Sequence, residues 1–255
     1  MTISVITISY NSAETIEETI LSVLNQSYKD IEYIIIDGGS EDGTLDILKK
    51  YKKDFKKMII EKDRGIYDAM NKGLKHSTGD IVGFLNSDDM FYDKNAVKTI
   101  AENFIDQNTL YSYGDLIYVD RKNINQVVRF WKSSKLQEKD ILKSKIPAHP
   151  TFYFRRKLID KIGYFDISLK LASDFEYMLR FILKYPDSGK HINKLLIRMR
   201  VGGATSKSFK NIFKQNLEIF KAIKGTKLKL NISKFIFYKI LNRIFQFTAK
   251  KDLSL

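Results

Sequence analysis

The sequence has no cysteine and three histidines, and these shortages exclude two kinds of metal site. Without thiols, the chain can form neither a disulfide framework nor a thiolate-bound metal centre. The histidines, His76, His149 and His191, stand far apart along the chain, which argues against a histidine-based centre. The composition therefore offers neither of the ligand sets that structural zinc sites use.

Long apolar runs are also absent. No uncharged stretch reaches the roughly 18 apolar residues that predict a membrane-spanning helix. The opening residues MTISVITISYN have no basic segment and no cleavage signature, so they predict a first strand and not a signal peptide. With 255 residues, 44% of them hydrophobic, the chain is suited to one α/β domain with an appended segment. We expect a cytoplasmic protein.

Positive charge is concentrated near the end of the chain. The formal net charge is +14, and the stretch from Lys207 to Lys251 holds twelve basic residues against one acid, Glu218. Two apolar stripes run through the same stretch, a pattern typical of basic amphipathic helices at a membrane surface. The alternatives are a helical pair that packs on the main domain, or a homodimer contact. The stripes are Phe209, Ile212, Phe213, Leu217, Phe220 and Ile223, and then Phe235, Ile236, Tyr238, Leu241, Ile244 and Phe245.

The apolar pattern of the first ninety residues alternates between strands and helices. Short β-branched runs at 2–9, 31–36, 58–60 and 81–85 predict buried strands, with segments of helical spacing between them. This order predicts a three-layer α/β/α fold with a mainly parallel central sheet. Later in the chain, residues 110–120 and 124–131 predict paired antiparallel strands, and 174–184 predicts an amphipathic helix.

Two adjacent acids, Asp88 and Asp89, directly follow the strand predicted at 81–85. Acids at the carboxyl end of such a strand lie at the rim of an open sheet, where α/β folds bind ligands. Magnesium- and manganese-type ions need only one or two carboxylates when substrate phosphates supply further oxygens. The pair therefore predicts a metal–diphosphate site, with a plain polar turn at Asn86-Ser87 as the alternative.

Six motifs, in order, resemble those of glycosyltransferase family 2, the nucleotide-sugar-dependent enzymes of the GT-A fold. They are VITISYN, IDGGSEDGT, EKDRGIYDAMNKGLKHSTGD, FLNSDD, KIGYFD and ASDFEYMLR, and the resemblance extends from Val5 to about Gly203. Within the family, the chain looks like the bacterial enzymes that build capsule, O-antigen or colanic-type polysaccharides. The resemblance implies sugar transfer with inversion from a nucleotide diphosphate, commonly UDP. It divides the chain into a GT-A domain at 1–206, with a nucleotide-sugar half at 1–90 and a mixed acceptor half at 91–206, and a basic helical tail at 207–255.

The resemblance assigns one group of residues to the nucleotide sugar: Ser9, Tyr10, Asn11, Asp37, Asp63, Arg64 and Asp88. Asp37 would accept a hydrogen bond from the imide N–H of uracil, and Arg64 would donate a forked pair to phosphate. Simpler interpretations remain open. Asp37 and Arg64 can be charged turn residues, and Tyr10 can pack on the first helix.

A second group is implied for the metal and the chemistry. Asp89 would be the direct ligand of Mn²⁺ or Mg²⁺, with Asp88 near the ribose or a metal-bound water. Asp174 would be the base that takes the proton of the acceptor hydroxyl. The chain departs from the family pattern here, because residue 173 is Ser and not an acid. The alternative for this segment is a capping box, in which Ser173 caps the helix with Glu176.

The acceptor implied by the resemblance is a glycan carried on a polyprenyl diphosphate, a substrate that suits a peripheral enzyme at the inner face of the cell membrane. His149 and Trp131 are candidate contacts to the acceptor or diphosphate, although a bonded loop histidine and a packed tryptophan explain them equally well. A non-catalytic module with a nucleic-acid-binding tail is the competing function, but no nucleic-acid motif appears. No G-x-G-x-x-G run follows the first strand, which argues against a dinucleotide enzyme.

Overall fold

The computed structural model describes residues 1–202 and 208–248. The predicted domain boundary at 206/207, the Phe209 side chain and the last seven residues lie outside this description. Within the described ranges, nine strands form one sheet. The strands are β1 (Ile3–Ser9), β2 (Ile31–Asp37), β3 (Lys57–Ile60), β4 (Ile81–Phe84), β5 (Asp89–Phe91), β6 (Tyr111–Val119), β7 (Val127–Trp131), β8 (Tyr153–Arg155) and β9 (Gly189–Arg200). The helices are α1 (Ile16–Leu24), α2 (Thr44–Lys50), α3 (Ile66–His76), α4 (Ala96–Asn103), α5 (Glu138–Ile141), α6 (Ile159–Ile162), α7 (Ser173–Lys184), α8 (Phe209–Lys224) and α9 (Ile232–Thr248), with three short 3₁₀ turns among them.

The first half of the sheet is parallel, as the sequence predicts. β1 lies between β2 and β4, and Ile3 is in register with both Ile31 and Ile81. β3 extends the parallel set beyond β2. Helices cross between consecutive strands, so the carboxyl ends of β1, β2 and β4 meet at one edge of the sheet.

The second half is mixed. β8 pairs antiparallel with β4, and β9 pairs parallel with β6 along its whole length. The other edge of β6 is shared: β8 pairs with it at Tyr111–Ser112, and β7 pairs with it from Leu116 to Val119. β8 and β7 therefore pair with the same edge of β6, β8 near the start of that strand and β7 near its end. The polar turn considered as the alternative is present, since the N–H of Asp89 donates to the carbonyl of Asn86 at 3.0 Å, and Asp89 also belongs to β5, where it pairs with β9 at Met199.

Apolar side chains cover both faces of the sheet, which gives the three layers. Within one strand, neighbouring residues point to opposite faces, so Val5 belongs to the core on one face and Ile6 to the core on the other. The face of Ile6 also receives side chains of α3 and α7, and the face of Val5 receives those of α1 and α4. β1, β2 and β4 are buried on both faces, as strands of a parallel sheet usually are, whereas β3 at the edge of the sheet is partly exposed.

The basic tail packs on the domain, as one of the alternatives proposed. Ile219 and Ile223 of α8 and Phe235 of α9 are buried in the same core as α7. α8 packs against α7, and α9 packs against β7. A second set of large apolar side chains on these helices remains exposed: Ile212, Phe213, Leu217, Ile232, Ile236, Phe237, Ile240, Ile244, Phe245 and Phe247.

No helix in the described ranges has both the length and the apolar character needed to cross a bilayer.

Two phenylalanines on α9 give a matched test of this packing. Phe235 is fully buried, whereas Phe237, two positions later, is 62% exposed. We expect Phe235→Ala to lower the free energy of unfolding by about 3–5 kcal/mol, because it leaves a cavity in the core. Phe237→Ala should change it by no more than about 0.5 kcal/mol. Urea denaturation followed by circular dichroism measures both, and equal effects would contradict the docking of α9.

Candidate functional site

An open cavity of about 590 Å³ lies at the carboxyl ends of β1 and β4. It is the location that the sheet topology predicts for a ligand site. Three of the residues assigned to the nucleotide sugar line it, together with other polar side chains. The lining is Tyr10, Asn11, Ser12, Glu14, Thr15, Asp42, Ser87, Asp88, Arg121 and Gly202.

Asp37 lies beneath the rim of this cavity and is fully buried. One of its oxygens accepts hydrogen bonds from the backbone N–H groups of Gly39 (3.0 Å) and Ser40 (2.8 Å). The other accepts from the hydroxyls of Ser9 (2.7 Å) and Ser40 (2.8 Å). These four bonds use the acceptor capacity of a carboxylate. Asp37 therefore ties the end of β1 to the turn after β2, and in this structure it presents no oxygen to a base.

Asn11 continues this tie. Its backbone has φ of +48°, and its side-chain oxygen accepts from the N–H of Glu41 at 2.9 Å. The helix cap that a polar residue could provide here is not formed, because α1 begins later, at Ile16.

Tyr10 and Asp63 face each other across Gly38. A Cβ placed on Gly38 would lie 2.7 Å from Asp63 Oδ2 and 3.2 Å from Tyr10 Cδ2, so this approach needs a glycine. The Tyr10 ring is 64% exposed, which is unusual for a residue that follows a buried strand. An exposed aromatic face beside a carboxylate is suited to stacking on a flat ring and accepting its N–H groups.

Arg64 lies next to Asp63 but is paired within its own segment. Its guanidinium is 3.1 Å from Asp68, and its backbone N–H donates to the same carboxylate at 3.0 Å. The hydrogen bonds from the Arg64 side chain and backbone hold the pKa of Asp68 below its usual range. Arg64 does not belong to the lining of the cavity as the structure describes it.

The backbone that carries the two acids is fixed from two sides. On the α1 side, the hydroxyls of Thr15 and Thr19 donate to the carbonyls of Ser87 (2.9 Å) and Asp89 (2.8 Å). From β9, Arg200 donates to the carbonyl of Asp88 at 2.9 Å. The segment is thus held in place before any ligand arrives.

Arg200 is buried and also pairs with Glu18 of α1. Sequence reasoning missed this residue, because nothing in the local pattern of β9 separates Arg200 from Arg198, two positions earlier.

The two acids occupy different environments. Asp88 lines the cavity, whereas Asp89 is fully buried in β5. One Asp89 oxygen accepts from the amide of Asn86 at 3.0 Å, and the other has no hydrogen-bond partner among the described residues. Burial, with the charge of Asp88 as a further cause, raises the pKa of Asp89 well above its usual range. Asp88 thus belongs to the lining of the cavity, and Asp89 carries a buried carboxylate oxygen without a partner in the described ranges.

This donor set fits a hard divalent cation only if the ligand helps to bind it. Within residues 1–202 and 208–248, no group of three or more His, Cys, Asp or Glu side chains could hold an ion. One or two carboxylates are the usual protein contribution when phosphates and waters complete the coordination of Mg²⁺. The residues present thus suit a metal that arrives with a diphosphate.

Asp174 lies in the first turn of α7, within hydrogen-bond distance of α3. The hydroxyl of Tyr67 donates to its Oδ1 at 3.0 Å. The capping box considered as the alternative is not formed, because Ser173 is itself the first helical residue and its buried hydroxyl finds no partner in the described ranges. Glu176 instead pairs with Arg180 at 2.8 Å.

His149 is buried close to Asp174 and the end of β4. Its ring stacks on Phe84 (centroids 5.4 Å apart) and meets Phe165 edge to face (5.8 Å). Burial lowers the pKa of His149, and the charge of Asp174 opposes this effect. Phe165 also stacks on Tyr67, whose hydroxyl bonds Asp174, so one aromatic cluster links the His149 ring to the start of α7.

Trp131 lies elsewhere, at a second cavity of about 390 Å³ between the domain and α9. The lining of this cavity reaches Pro147, two positions before His149 in the chain. The lining combines aromatic rings, hydroxyls and two lysines. It comprises Tyr113, Phe130, Trp131, Lys132, Ser133, Ser134, Leu136, Ser144, Lys145, Ile146, Pro147, Asn242, Phe245 and Gln246.

Solved structures similar to this chain share its fold along almost its whole length. The crystal structure of S. aureus TarS 1–349 in complex with UDP-GlcNAc matches with a TM-score of 0.69 at 22% identity, covering 98% of this chain and 74% of that one. The mannosyltransferase PcManGT from Pyrobaculum calidifontis, solved with GDP-Man and Mn²⁺, matches with a TM-score of 0.66 at 17% identity, covering 99% and 76%. These likenesses confirm the predicted GT-A fold.

Sequence relatives agree in their names. An uncharacterised glycosyltransferase of Mycobacterium tuberculosis is 33% identical over 186 residues, covering 71% of this chain and 69% of that protein. The PGL/p-HBAD biosynthesis glycosyltransferase of Mycobacterium bovis BCG is 29% identical over 181 residues, covering 69% and 68%. The putative teichuronic acid biosynthesis glycosyltransferase TuaG of Bacillus subtilis is 39% identical over 114 residues, covering 44% and 45%.

The family model described as glycosyl transferase family 2 matches residues 4–163, more than half of the chain and all of the segment that forms the larger cavity except Gly202. Together with the 33% identical relative, this match shows that the chain belongs to glycosyl transferase family 2.

Proposed function

We propose that this protein transfers a sugar, with inversion, from a UDP-sugar to a lipid-linked glycan during synthesis of a bacterial surface polysaccharide. The observation that carries the proposal is the arrangement around the end of β4. Asp88 lines the cavity beyond it, and Phe84, its last residue, stacks on His149. Phe165 connects the His149 ring to Tyr67, whose hydroxyl bonds Asp174. Family membership favours this enzyme over a non-catalytic binding module. The UDP-GlcNAc in TarS and the teichuronic acid pathway in the name of TuaG support the choice of donor and product.

The nucleotide would occupy the cavity between β1 and β4. In this arrangement, the Tyr10 ring stacks on the base, and Asp63, across Gly38, accepts hydrogen bonds from base or ribose. Asp37 was expected to contact the base; its four internal bonds favour a supporting role, in which it holds Ser9 and Asn11 in place. Arg64 can reach phosphate only by leaving Asp68.

The diphosphate would lie against Asp88, together with a divalent cation, Mn²⁺ or Mg²⁺. We expected Asp89 to be the direct ligand; its burial favours Asp88 as the ligand and Asp89 as the group behind it. When bound, the cation supplies Lewis acidity that offsets negative charge on the departing nucleotide. The Mn²⁺ in the PcManGT complex is consistent with this choice.

Asp174 would be the general base. In an inverting transfer, an acceptor oxygen attacks the anomeric carbon from the face opposite the diphosphate, and its proton passes to the base as the bond to the diphosphate breaks. The Tyr67 hydroxyl orients the carboxylate by donating to one of its oxygens, so the other remains directed to the acceptor. His149, kept neutral by burial, lines the same region.

The acceptor would enter from the side of the second cavity. Its aromatic residues, including Trp131, are suited to sugar rings, and Lys132 and Lys145 are suited to lipid phosphates. The exposed apolar side chains of α8 and α9, on helices rich in lysine, are suited to an anionic membrane surface. A homodimer through the same exposed face is the competing interpretation.

A thermal-shift experiment tests the metal–diphosphate site. UDP with Mn²⁺ should raise the melting temperature more than UDP alone, since a ligand at about 100 times its Kd stabilises the folded state by about 2.7 kcal/mol. Asp88→Asn should remove the part that depends on Mn²⁺. Glu14→Gln, which removes one charge from the same cavity, is the control and should keep it. If Asp89→Asn removes the Mn²⁺-dependent rise in melting temperature and Asp88→Asn does not, Asp89 is the metal ligand, as the resemblance implied.

Substitution of the proposed base tests the chemistry. Asp174→Asn should reduce turnover by about 10²–10⁴-fold, the usual contribution of a general base, while the UDP–Mn²⁺ thermal shift stays unchanged. The measurement is UDP release from the most stabilising UDP-sugar, with a lipid-linked glycan fraction as acceptor. Asp160→Asn, at an exposed acid of α6, should have no effect. Full turnover in Asp174→Asn would mean that the proposed mechanism is wrong.

Vesicle sedimentation tests the membrane surface. The wild-type protein should bind vesicles that contain phosphatidylglycerol, and bind neutral phosphatidylcholine vesicles weakly, because each lysine near an anionic surface contributes about 1 kcal/mol. The double substitution Phe237→Ser and Ile240→Ser should weaken this binding. Ile105→Ser, at an apolar residue that is 73% exposed elsewhere on the domain, should leave it unchanged. Concentration-dependent dimers without vesicle binding would support the homodimer instead.

A further inference from the structure

Glu218 is the one acid among the twelve basic residues between Lys207 and Lys251, and it is almost completely buried. It lies on α8 with 9% of its surface exposed. Burying a carboxylate costs free energy unless hydrogen bonds replace its water. The groups that donate hydrogen bonds to Glu218 therefore indicate which part of the structure it stabilises.

Glu218 binds three consecutive backbone N–H groups just ahead of α7. One oxygen accepts from Lys170 (3.0 Å), Leu171 (2.7 Å) and Ala172 (3.0 Å), and the other also accepts from Lys170 (3.1 Å). Gln215, one turn earlier on α8, donates to the carbonyl of Leu171 at 3.2 Å. The tail helix thus clamps the backbone at residues 170–172.

The clamped segment leads directly into the proposed base. Ala172 is the residue before the first turn of α7, and Asp174 follows two positions later. Ser173 does not cap this helix, and Glu218 on another element adds its negative charge to those of Asp174 and Glu176 at the amino end, where it interacts favourably with the helix dipole. Burial is the main cause of the raised pKa of Tyr67, and the charges of Asp174 and Glu218 raise it further. Both carboxylates therefore lie within electrostatic range of the Tyr67 hydroxyl.

We infer that Glu218 is a positioning residue for catalysis, which holds the start of α7 so that Asp174 faces the acceptor hydroxyl. This inference rests on the proposed function, because it takes Asp174 as the base. A displacement of about 1 Å at a reacting group can reduce a rate by about 100-fold. The tail therefore completes the active site and does more than attach the enzyme to a surface.

Three single variants test the inference. Glu218→Ala should lower kcat by about 10–100-fold, with the KM for the UDP-sugar and the UDP–Mn²⁺ thermal shift unchanged, because the donor cavity has no contact with Glu218. Glu218→Gln should recover most of kcat, since its amide oxygen can still accept from the three N–H groups. Glu102→Ala, which removes an exposed acid of α4 outside both cavities, should behave as wild type.

A double-mutant cycle separates positioning from loss of stability. In the Asp174→Asn background, Glu218→Ala should cause no further loss of residual turnover, because the group that it positions is already absent. The same fold-loss in both backgrounds, or full kcat in Glu218→Ala, would overturn the inference while leaving the proposed function intact. Full turnover in Asp174→Asn alone would overturn the proposed function instead.

Discussion

The parallel pairing of β1 with both β2 and β4 is the constraint on which the site depends. It brings the ends of three strands to one edge, so that Ser9 binds Asp37 and Ser12 lies 2.8 Å from Ser87 although 75 residues separate them. Buried hydrogen bonds then fix the cavity rim without any ligand. The backbone at Asp88 and Asp89 is therefore held before any ligand arrives, and preorganisation of this kind is where protein sites gain most of their electrostatic effect.

How far the sequence could predict this arrangement depends on how local each signal is. Apolar runs and their spacing predicted the parallel strands, the position of the two acids after one of those strands, and the amphipathic tail helices. They could not predict that Asp89 turns inward, because its strand partner Met199 is more than a hundred residues away. Ser173 shows the same limit. Its spacing to Glu176 was compatible with a capping box, but the carboxylate of Glu218, from another helix, bonds the backbone N–H groups just ahead of α7.

The tail has two faces with different roles. Ile223 and Phe235 join the core and Glu218 clamps α7, whereas Phe237 and Ile240 remain exposed. The sequence pattern alone treated packing and surface binding as alternatives. In the folded chain both helices pack along one side and present further apolar side chains to their surroundings on the other.

The shared edge of β6 has a consequence for how this enzyme type can diversify. Between the stretches paired with β8 and β7, side-chain and backbone groups of Ser133 bond Gly114 and Asp115 in place of a strand. Insertions or deletions in the connection from residue 134 to 147 would therefore break no ladder bond of the sheet. The length of this connection can therefore change the shape of the second cavity, which it lines in part, while the cavity at the ends of β1 and β4 stays unchanged.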